Sequence, residues 1–597
     1  MLRTGAVLLC LASLWLAVAC GRRQSPIPAL EREFVYTTLA FSPVAATASG
    51  LHKYQGQDLD RQLDDMSPQS VERQRRFYED FRKRLAGVSP DALSTEDRAD
   101  YEILRNQTAL GLLEFERIQS YLHNPTSYVE LVGNAIFNPW VLEYAPLPQR
   151  VGSIIARLQV IPLFLDQARN NLVSSPGIWT QVAQQENAGN IELIDKDIRG
   201  KVPAELRGAY DQAATGALKA LNAFQDYLRT SLAARDSWDW RLGAELYAQK
   251  FQAVLAIRDR PADLLAKAEL EIPQVRSRML ELALPLHRQF FAAHKEHSEL
   301  AGDERLNRIV SEALERISGR HSTRESYVAD ARQDLEEARR FIAERHLLTL
   351  PSRANLQVIE TPEFMRGVYA VGGFAPAPPL EPKLGAFYWI TPIPADWPPA
   401  RVESKLREYN FYKLKLLTIH EAMPGHYVQF EYANDVEPEP RRLLRSLYGN
   451  GPYIEGWGQY AEQLLLDAGF LDHSPELQLT FLKEKLRVLA NAVMDIRLQA
   501  QGMTDQEALD LMQKQTFQES EEATAKLQRA KLTSAQLPTY FAGWNAWLEV
   551  RERVKQAQGS AFQLAAFNDG ALREGAVSLA SLEGLLTGGA PGGTRSK

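Results

Sequence analysis

Two of the ten histidines in this chain, His420 and His426, lie within the segment His-Glu-Ala-Met-Pro-Gly-His. Imidazole nitrogens are good ligands for Zn²⁺, an ion that polarises carbonyl groups and acidifies water. Glu421 follows the first histidine directly, as the glutamate does in the HExxH zinc motif, where it acts as the general base. The segment therefore predicts a zinc-dependent hydrolytic site with His420 and His426 as ligands and Glu421 as base.

The spacing of the two histidines differs from HExxH and requires a break in the helix. Residues four apart differ by about 40° around a helix axis, whereas residues six apart differ by roughly 240°. Pro424 has no N–H to donate and its ring clashes with the preceding turn, and Gly425 tolerates backbone angles closed to other residues. We expect this pair to return His426 to the metal from a bulge or a first loop turn. Taken alone, the segment fits a helix end with hydrogen-bonded histidines equally well.

A second segment, 450–457, opens another helix and offers a third ligand, Glu455. The polar residues that would share one face of this helix are Glu455, Gln459 and Glu462. Gly456 and Gly458 are unfavourable inside a helix, so we expect the helix to pack closely against the first one. A carboxylate at a positive helix N-terminus is the alternative interpretation of Glu455, but it leaves the glycines unexplained. The segment predicts Glu455 as the third zinc ligand.

The elements that must position these residues are mainly helices. Apolar residues recur at spacings of three and four from about 30 to 350, with clear examples at 67–85, 204–232 and 261–283. The helical pattern returns over 401–586. One amphipathic helix is expected to lead into the first motif, with these residues on the face of His420: Leu406, Tyr409, Leu416 and Leu417.

Between the two helical parts, 351–400 is rich in proline, glycine and aromatic residues and contains candidate strands at 356–359 and 385–391. The stretch 385–388 would hold a peptide by pairing along a strand edge, or would form one arm of a buried hairpin. The glycine-rich tail, 587–597, is expected to be disordered.

Composition excludes one class of partner. The chain has 68 basic and 75 acidic residues in 597, a formal charge of -7, so it lacks the basic surface that nucleic-acid binding requires. A hydrophobic content of 45% is ample for a large core. The sequence does not define an oligomeric state.

The N-terminus predicts export and a lipid anchor. Arg3 precedes an apolar run, 6–19, that is too short to span a bilayer, so 1–19 is interpreted as a signal peptide. The sequence Leu-Ala-Val-Ala-Cys ending at Cys20 resembles a bacterial lipoprotein box. We expect a lipidated Cys20, a tether over 20–29, and an extracytoplasmic protein attached to a membrane through its lipid. The alternative is an ordinary signal with an incidental cysteine, although the other cysteine, Cys10, would leave with the signal.

The motif His-Glu-Ala-Met-Pro-Gly-His-Tyr-Val-Gln, 420–429, resembles the signature of the bacterial domain of unknown function 885 (DUF885) family. Glu-Gly-Trp-Gly-Gln-Tyr-Ala-Glu, 455–462, resembles its second motif. The resemblance covers nearly the whole mature chain. Supporting segments are 42–47, 96–101, 385–388, 494–498, 536–543 and 572–576.

The resemblance implies a gluzincin-like zinc metallopeptidase. The implied fold is mainly α, large and helical, with a substrate cleft and a small β-hairpin or sheet near the active site. The family ligands correspond to His420, His426 and Glu455, and the base to Glu421; Tyr540 matches a recurrent tyrosine that would stabilise the oxyanion. Two positions depart from the family pattern, because Gln499 and Asn568 stand where histidines are common.

The expected reaction is hydrolysis of a peptide or small amide, with Glu421 moving the proton and Tyr540 assisting the oxyanion. A metal-dependent hydrolase of a non-peptide amide or ester is one alternative. A non-catalytic lipoprotein that binds peptides or metal is another, although a binder would not need Glu421. The sequence does not distinguish exopeptidase from endopeptidase action.

Overall fold

The computed structural model describes residues 25–293, 296–366 and 371–588. Its fold is mainly helical with two small sheets, which confirms the predicted fold class at that level. The predicted signal peptide, Cys20, and the tail from residue 589 onward lie outside the described residues. The first helix begins at Ile27, inside the segment predicted to be a tether.

The chain up to residue 350 forms helices and one short hairpin. The helices are α1 (Ile27–Phe41), α2 (Pro43–Ala48), α3 (Pro68–Ala86), α4 (Thr95–Leu113), α5 (Ser120–His123), α6 (Thr126–Val141), α7 (Leu147–Asn171), α8 (Gly177–Glu192), α9 (Arg207–Asp226), α10 (Gly243–Leu255), α11 (Pro261–Phe290), α12 (Gly302–Ser318) and α13 (Tyr327–Arg345). The hairpin pairs β1 (Lys53–Tyr54) with β2 (Gln57–Asp58).

A three-stranded sheet and a second set of helices follow. The strands are β3 (Leu356–Glu360), β4 (Gly372–Ala375) and β5 (Ala386–Ile390). The helices are α14 (Pro399–Glu408), α15 (Phe411–Glu421), α16 (His426–Ala433), α17 (Glu439–Leu447), α18 (Gly451–Asp467), α19 (Pro475–Ala500), α20 (Asp505–Asp510), α21 (Ser520–Leu532), α22 (Pro538–Gln558), α23 (Leu564–Arg573) and α24 (Leu579–Thr587).

Apolar side chains collect in two cores. The larger core runs from Ile27 to Leu582, so it joins the first helices to the last ones. The smaller core is made chiefly by α6, α7, α8 and α9. Among the described residues, α7 is the one helix long and apolar enough to span a membrane by length and composition, and its apolar residues contribute to this smaller core.

The sheet corrects one expectation from the sequence. Both predicted strands form, as β3 and β5, but β5 is the central strand: it pairs with β3 in parallel and with β4 antiparallel. It is therefore not a free edge; it is the buried arm of a hairpin with β4, as the alternative interpretation expected. Among the described residues, β3 and β4 form the two edges of this sheet, and β4 is a short glycine-containing strand that the sequence did not indicate.

Candidate metal centre

The helix expected to lead into His420 is two helices, α14 and α15. Tyr409 ends the first one, and Asn410 starts the second one, because its side chain accepts hydrogen bonds from the backbone N–H groups of Tyr412 and Lys413. This N-cap stabilises a new helix whose last turn carries His420 and Glu421. The single amphipathic helix predicted across this region was wrong.

The predicted break between the two histidines is present. α15 ends at Glu421 and α16 begins at His426, so His426 is the first residue of a new helix rather than part of a bulge or loop. The Gly425 N–H donates to the Ile419 carbonyl at 2.9 Å, which folds the chain back on itself. A Cβ atom on Gly425 would lie 1.7 Å from the His420 carbonyl oxygen, so this close approach requires glycine.

The helix that carries Glu455 packs against this turn. The Trp457 indole N–H donates to the Pro424 carbonyl at 2.8 Å, and a Cβ on Gly458 would lie 2.5 Å from the His420 ring. The expected close packing against the first motif is therefore correct for Gly458. It is wrong for Gly456, where a Cβ would lie 2.4 Å from the backbone of Gly543 on α22.

The three predicted ligands converge. The Nε2 atoms of His420 and His426 lie 3.6 and 3.5 Å from the same Glu455 oxygen, Oε2. These separations exceed hydrogen-bond length, but they approach the edge of about 3.4 Å expected for a tetrahedron with zinc–ligand distances of about 2.0–2.1 Å. Two imidazoles and one carboxylate at this spacing fit a zinc ion with a fourth position for water or substrate.

Glu462 holds the first imidazole from its far side. His420 Nδ1 lies 3.0 Å from Glu462 Oε1, and the Gln459 amide donates to the same oxygen at 3.1 Å. With Nδ1 facing this carboxylate, Nε2 is the ring nitrogen that faces Glu455, and it would bind a metal after losing its proton. The polar face that the sequence predicted on α18 therefore supplies one candidate ligand, Glu455, and a hydrogen-bond partner for another, His420.

Negative charge accumulates around His420. Burial opposes protonation, but contacts with Glu455 and Glu462 and the charge of Glu421 raise the pKa of His420 to about 10. Burial likewise opposes ionisation of Glu455, yet the two imidazoles lower the pKa of its carboxyl group. The electrostatic environment therefore favours a cation at this position.

The predicted catalytic residues lie beside the ligands. Glu421 is half-buried, and its charge contributes to the raised pKa of both His420 and Tyr540. The Tyr540 ring lies 6.2 Å from the His420 ring, and burial, together with the Glu455 charge, raises the pKa of Tyr540 to about 12. The phenol is therefore protonated at neutral pH and available as a hydrogen-bond donor.

Two residues at the centre were not predicted. Gln536 donates through Nε2 to Glu455 Oε1 at 3.3 Å, and its own Oε1 accepts from Arg529 at 3.3 Å. Arg529 also lies 3.5 Å from the Tyr540 hydroxyl. Gln536 lies in the segment 536–543 that resembles the family, so the resemblance could have indicated it. Arg529 lies outside every segment that resembles the family.

The two departures from the family pattern have structural hydrogen bonds. Gln499 accepts from the Leu242 N–H and donates to the Thr533 carbonyl. Asn568 accepts from the Tyr460 hydroxyl and donates to the Leu347 carbonyl. Both side chains are buried, and both tie distant segments together.

A second group of metal-type side chains lies far along the chain from the first. His287 and His297 contact Glu312 Oε2 through their Nε2 atoms at 2.8 and 2.9 Å. These are hydrogen-bond lengths, shorter than the edges of a zinc tetrahedron. Each cluster thus has two histidines and one glutamate. In this second cluster they are hydrogen-bonded, whereas His420, His426 and Glu455 lie at the spacing of metal ligands.

Residues 43–586 match the family described as "Bacterial protein of unknown function (DUF885)". The chain belongs to this family. That membership was predicted from the two motifs and is confirmed. A comparison with proteins of curated function gives no match.

Two solved structures share the fold. One is a "putative lipoprotein of unknown function" from Shewanella oneidensis, with 27% identity, a TM-score of 0.76, and coverage of 94% of this chain and 100% of that one. The other, from Colwellia psychrerythraea, is also described as a putative lipoprotein; it has 19% identity, a TM-score of 0.75, and coverage of 94% and 98%. The DUF885 chain thus resembles proteins described as lipoproteins, over nearly its whole length.

Proposed function

We propose that this DUF885 protein is a zinc-dependent peptidase with His420, His426 and Glu455 as ligands. The observation that carries the proposal is the spacing of the three ligand atoms, 3.5 and 3.6 Å from both imidazoles to Glu455, which suits an ion rather than hydrogen bonds. A bound zinc ion would supply Lewis acidity toward a carbonyl group and acidify water.

The protein's own groups then handle protons and position. Glu421 accepts a proton from the attacking water and passes it to the leaving amine. The Tyr540 phenol, protonated at neutral pH, donates a hydrogen bond to the oxygen on which negative charge develops. Glu462 holds the His420 ring in position while this happens.

The substrate proposed for this site is an extended peptide lying in a cleft along β4. The Phe374 ring of β4 lies 6.5 Å from the His426 ring, so this edge strand reaches the centre. An extended chain pairing with β4 would be bound largely through its backbone.

The test is mass-spectrometric analysis of a peptide library incubated with zinc-loaded protein and, in parallel, with the Glu421→Gln variant. Glu421→Gln keeps size and polarity but removes the base, so we expect cleavage to fall by about 10²–10⁴-fold while zinc content and Tm persist. Parallel pools of amides and esters that are not peptides test the alternative hydrolase. Equal cleavage by both proteins would contradict the mechanism, and loss of zinc from the variant would give Glu421 a structural role.

Attachment to a membrane through lipidated Cys20 is proposed with this activity. It is supported by the lipoprotein-box sequence and by the descriptions of the two structural relatives. Cys20→Ala should release the protein from the membrane fraction or block its processing. Unacylated wild-type protein found free in the extracytoplasmic fluid would contradict the anchor.

A further inference from the structure

A cavity of about 320 Å³ opens next to the metal centre, and five cationic side chains line it. Arg529 lines it and also contacts Gln536 and Tyr540, and Gln536 in turn contacts the ligand Glu455. Gly372 of the edge strand β4 lines another side. Arg529 therefore connects the cavity directly to Tyr540, and through Gln536 to Glu455.

Positive charge exceeds negative charge on these walls. The cationic lining residues are Arg366, Arg401, Lys405, Lys526 and Arg529, and the carboxylates are Glu408, Glu521 and Glu522. Each carboxylate already has a cation close by: Glu521 pairs with Arg401 at 2.7 Å, Glu408 with Lys483 at 2.8 Å and Glu522 with Arg487 at 3.3 Å. A ligand entering the cavity thus meets a net positive field.

Lys526 is a buried cation whose ion pair on this wall is long. Its side chain is buried, and the Glu522 carboxylate lies 3.9 Å from its ammonium group. Burial and the nearby charges of Arg487 and Arg529 lower the pKa of Lys526 to about 7. A carboxylate bound in the cavity would stabilise the charged ammonium, since a buried cation is favoured by a close partner.

We propose that this cavity binds a carboxylate of the substrate on one side of the scissile bond, with Lys526 and Arg529 as its partners. The proposal rests on the peptidase function above and deepens it. A free C-terminal α-carboxylate and an Asp or Glu side chain share the required chemistry. Binding of the C-terminal α-carboxylate would make the enzyme a carboxypeptidase, which removes one or a few residues from the C-terminus of a peptide.

The experiment compares one peptide as its C-terminal acid and as its C-terminal amide, and an internal Glu with an internal Gln. Hydrolysis is measured with zinc-loaded wild type, and binding is measured by calorimetry with zinc-loaded Glu421→Gln. We expect one of the two carboxylate-bearing forms to be preferred by about ten- to a hundredfold, the range for a hydrogen bond to a charged group. Lys526→Gln should remove that preference and leave the uncharged form unchanged.

Lys531→Gln is the matched control, because Lys531 lies on the same helix but pairs with Asp505 outside the cavity. It should keep the preference. A carboxylate preference in binding without any hydrolysis would support the cavity and contradict the peptidase function. Equal binding of all four peptides, no binding of any, or an equal loss of both forms in Lys526→Gln would overturn the proposal.

Discussion

His420 and Glu462 meet at 3.0 Å, Nδ1 to Oε1, on the side of the imidazole opposite Glu455. The carboxylate orients the ring of a candidate ligand, and the Gln459 amide nitrogen lies 3.0 Å from the same Nδ1. Such supporting groups typically change metal affinity by ten- to a hundredfold when they are lost. The relationship therefore predicts that loss of Glu462 weakens metal binding at His420.

Glu462→Gln should weaken zinc binding by about ten- to a hundredfold, because the amide is a weaker acceptor than the carboxylate and leaves the imidazole less basic. Competition with a chromogenic chelator measures the affinity. Glu549→Gln, a charge loss on an exposed face of α22, should leave the affinity unchanged. Unaltered affinity in Glu462→Gln would mean that Glu462 has only a packing role.

Zinc should bind at one cluster and not at the other. His426→Ala should remove the bound zinc, whereas His297→Ala should retain one zinc per chain, because His297 sits in a hydrogen-bonded group with contacts of 2.9 Å. Elemental analysis of both purified variants is the measurement. Full zinc in His426→Ala, or two zinc ions in the wild type, would contradict this assignment.

Tyr540→Phe should lower kcat by about 10²–10³-fold with little change in KM or zinc content, as expected for the loss of one oxyanion donor. Tyr128→Phe is a control in the smaller core, where the hydroxyl donates to the Tyr121 carbonyl. That variant should lower the free energy of unfolding without lowering kcat. A change in KM alone for Tyr540→Phe would indicate substrate binding instead.

Much of the centre follows from the sequence because its determinants are local. The His-Glu pair, the Pro-Gly break and the acidic residue early in a second helix each lie within a short segment, and the elements around them follow spacing rules. The unpredicted features are contacts between separate helices. Gly456 faces Gly543, and Arg529 reaches the Tyr540 hydroxyl through the packing of α21 and α22. The central position of β5 also depends on β4, whose four residues give no strand signal.

Gly458→Ala tests the close packing of α18 on His420. The added methyl group would lie 2.5 Å from the imidazole, so we expect the free energy of unfolding to fall by about 1–3 kcal/mol and zinc binding to weaken. Denaturant titration measures the first quantity.

Gly216→Ala is the matched control, because Gly216 lies inside α9 with nothing within 4 Å of its new Cβ. Alanine is the better helix former, so this variant should gain about 0.5–1 kcal/mol. A loss of stability in Gly216→Ala equal to that in Gly458→Ala would mean that the packing argument is wrong.

Glu186 predicts a pH dependence of stability. Its carboxyl group is buried in α8, and burial and the nearby charge of Glu130 raise the pKa of Glu186 to about 9 from an ordinary 4.5. Between these two pKa values the folded chain holds a proton that the unfolded chain has lost. The contribution of the protonated Glu186 carboxyl group to the free energy of unfolding is therefore complete below about pH 4.5 and is lost as the pH rises toward 9.

Glu186→Gln should remove that loss, and its stability relative to wild type should grow with pH by up to about 1.4 kcal/mol per unit. Unfolding is measured between pH 5 and about 8.5. Glu192→Gln reports the effect of losing a charge on the outer surface of the same helix. A constant difference between Glu186→Gln and wild type across this range would contradict the prediction.

β5 is buried on both faces, and the faces belong to different cores. Phe387 and Trp389 enter the smaller core, while Ala386, Tyr388 and Ile390 enter the larger one. Because alternate residues of a strand point to opposite sides, inserting one residue would exchange the two sets of side chains. The length of this strand is thus under a stricter constraint than its sequence. Substitutions of similar size are tolerable, whereas an insertion or deletion would place the side chains of each core in the other one.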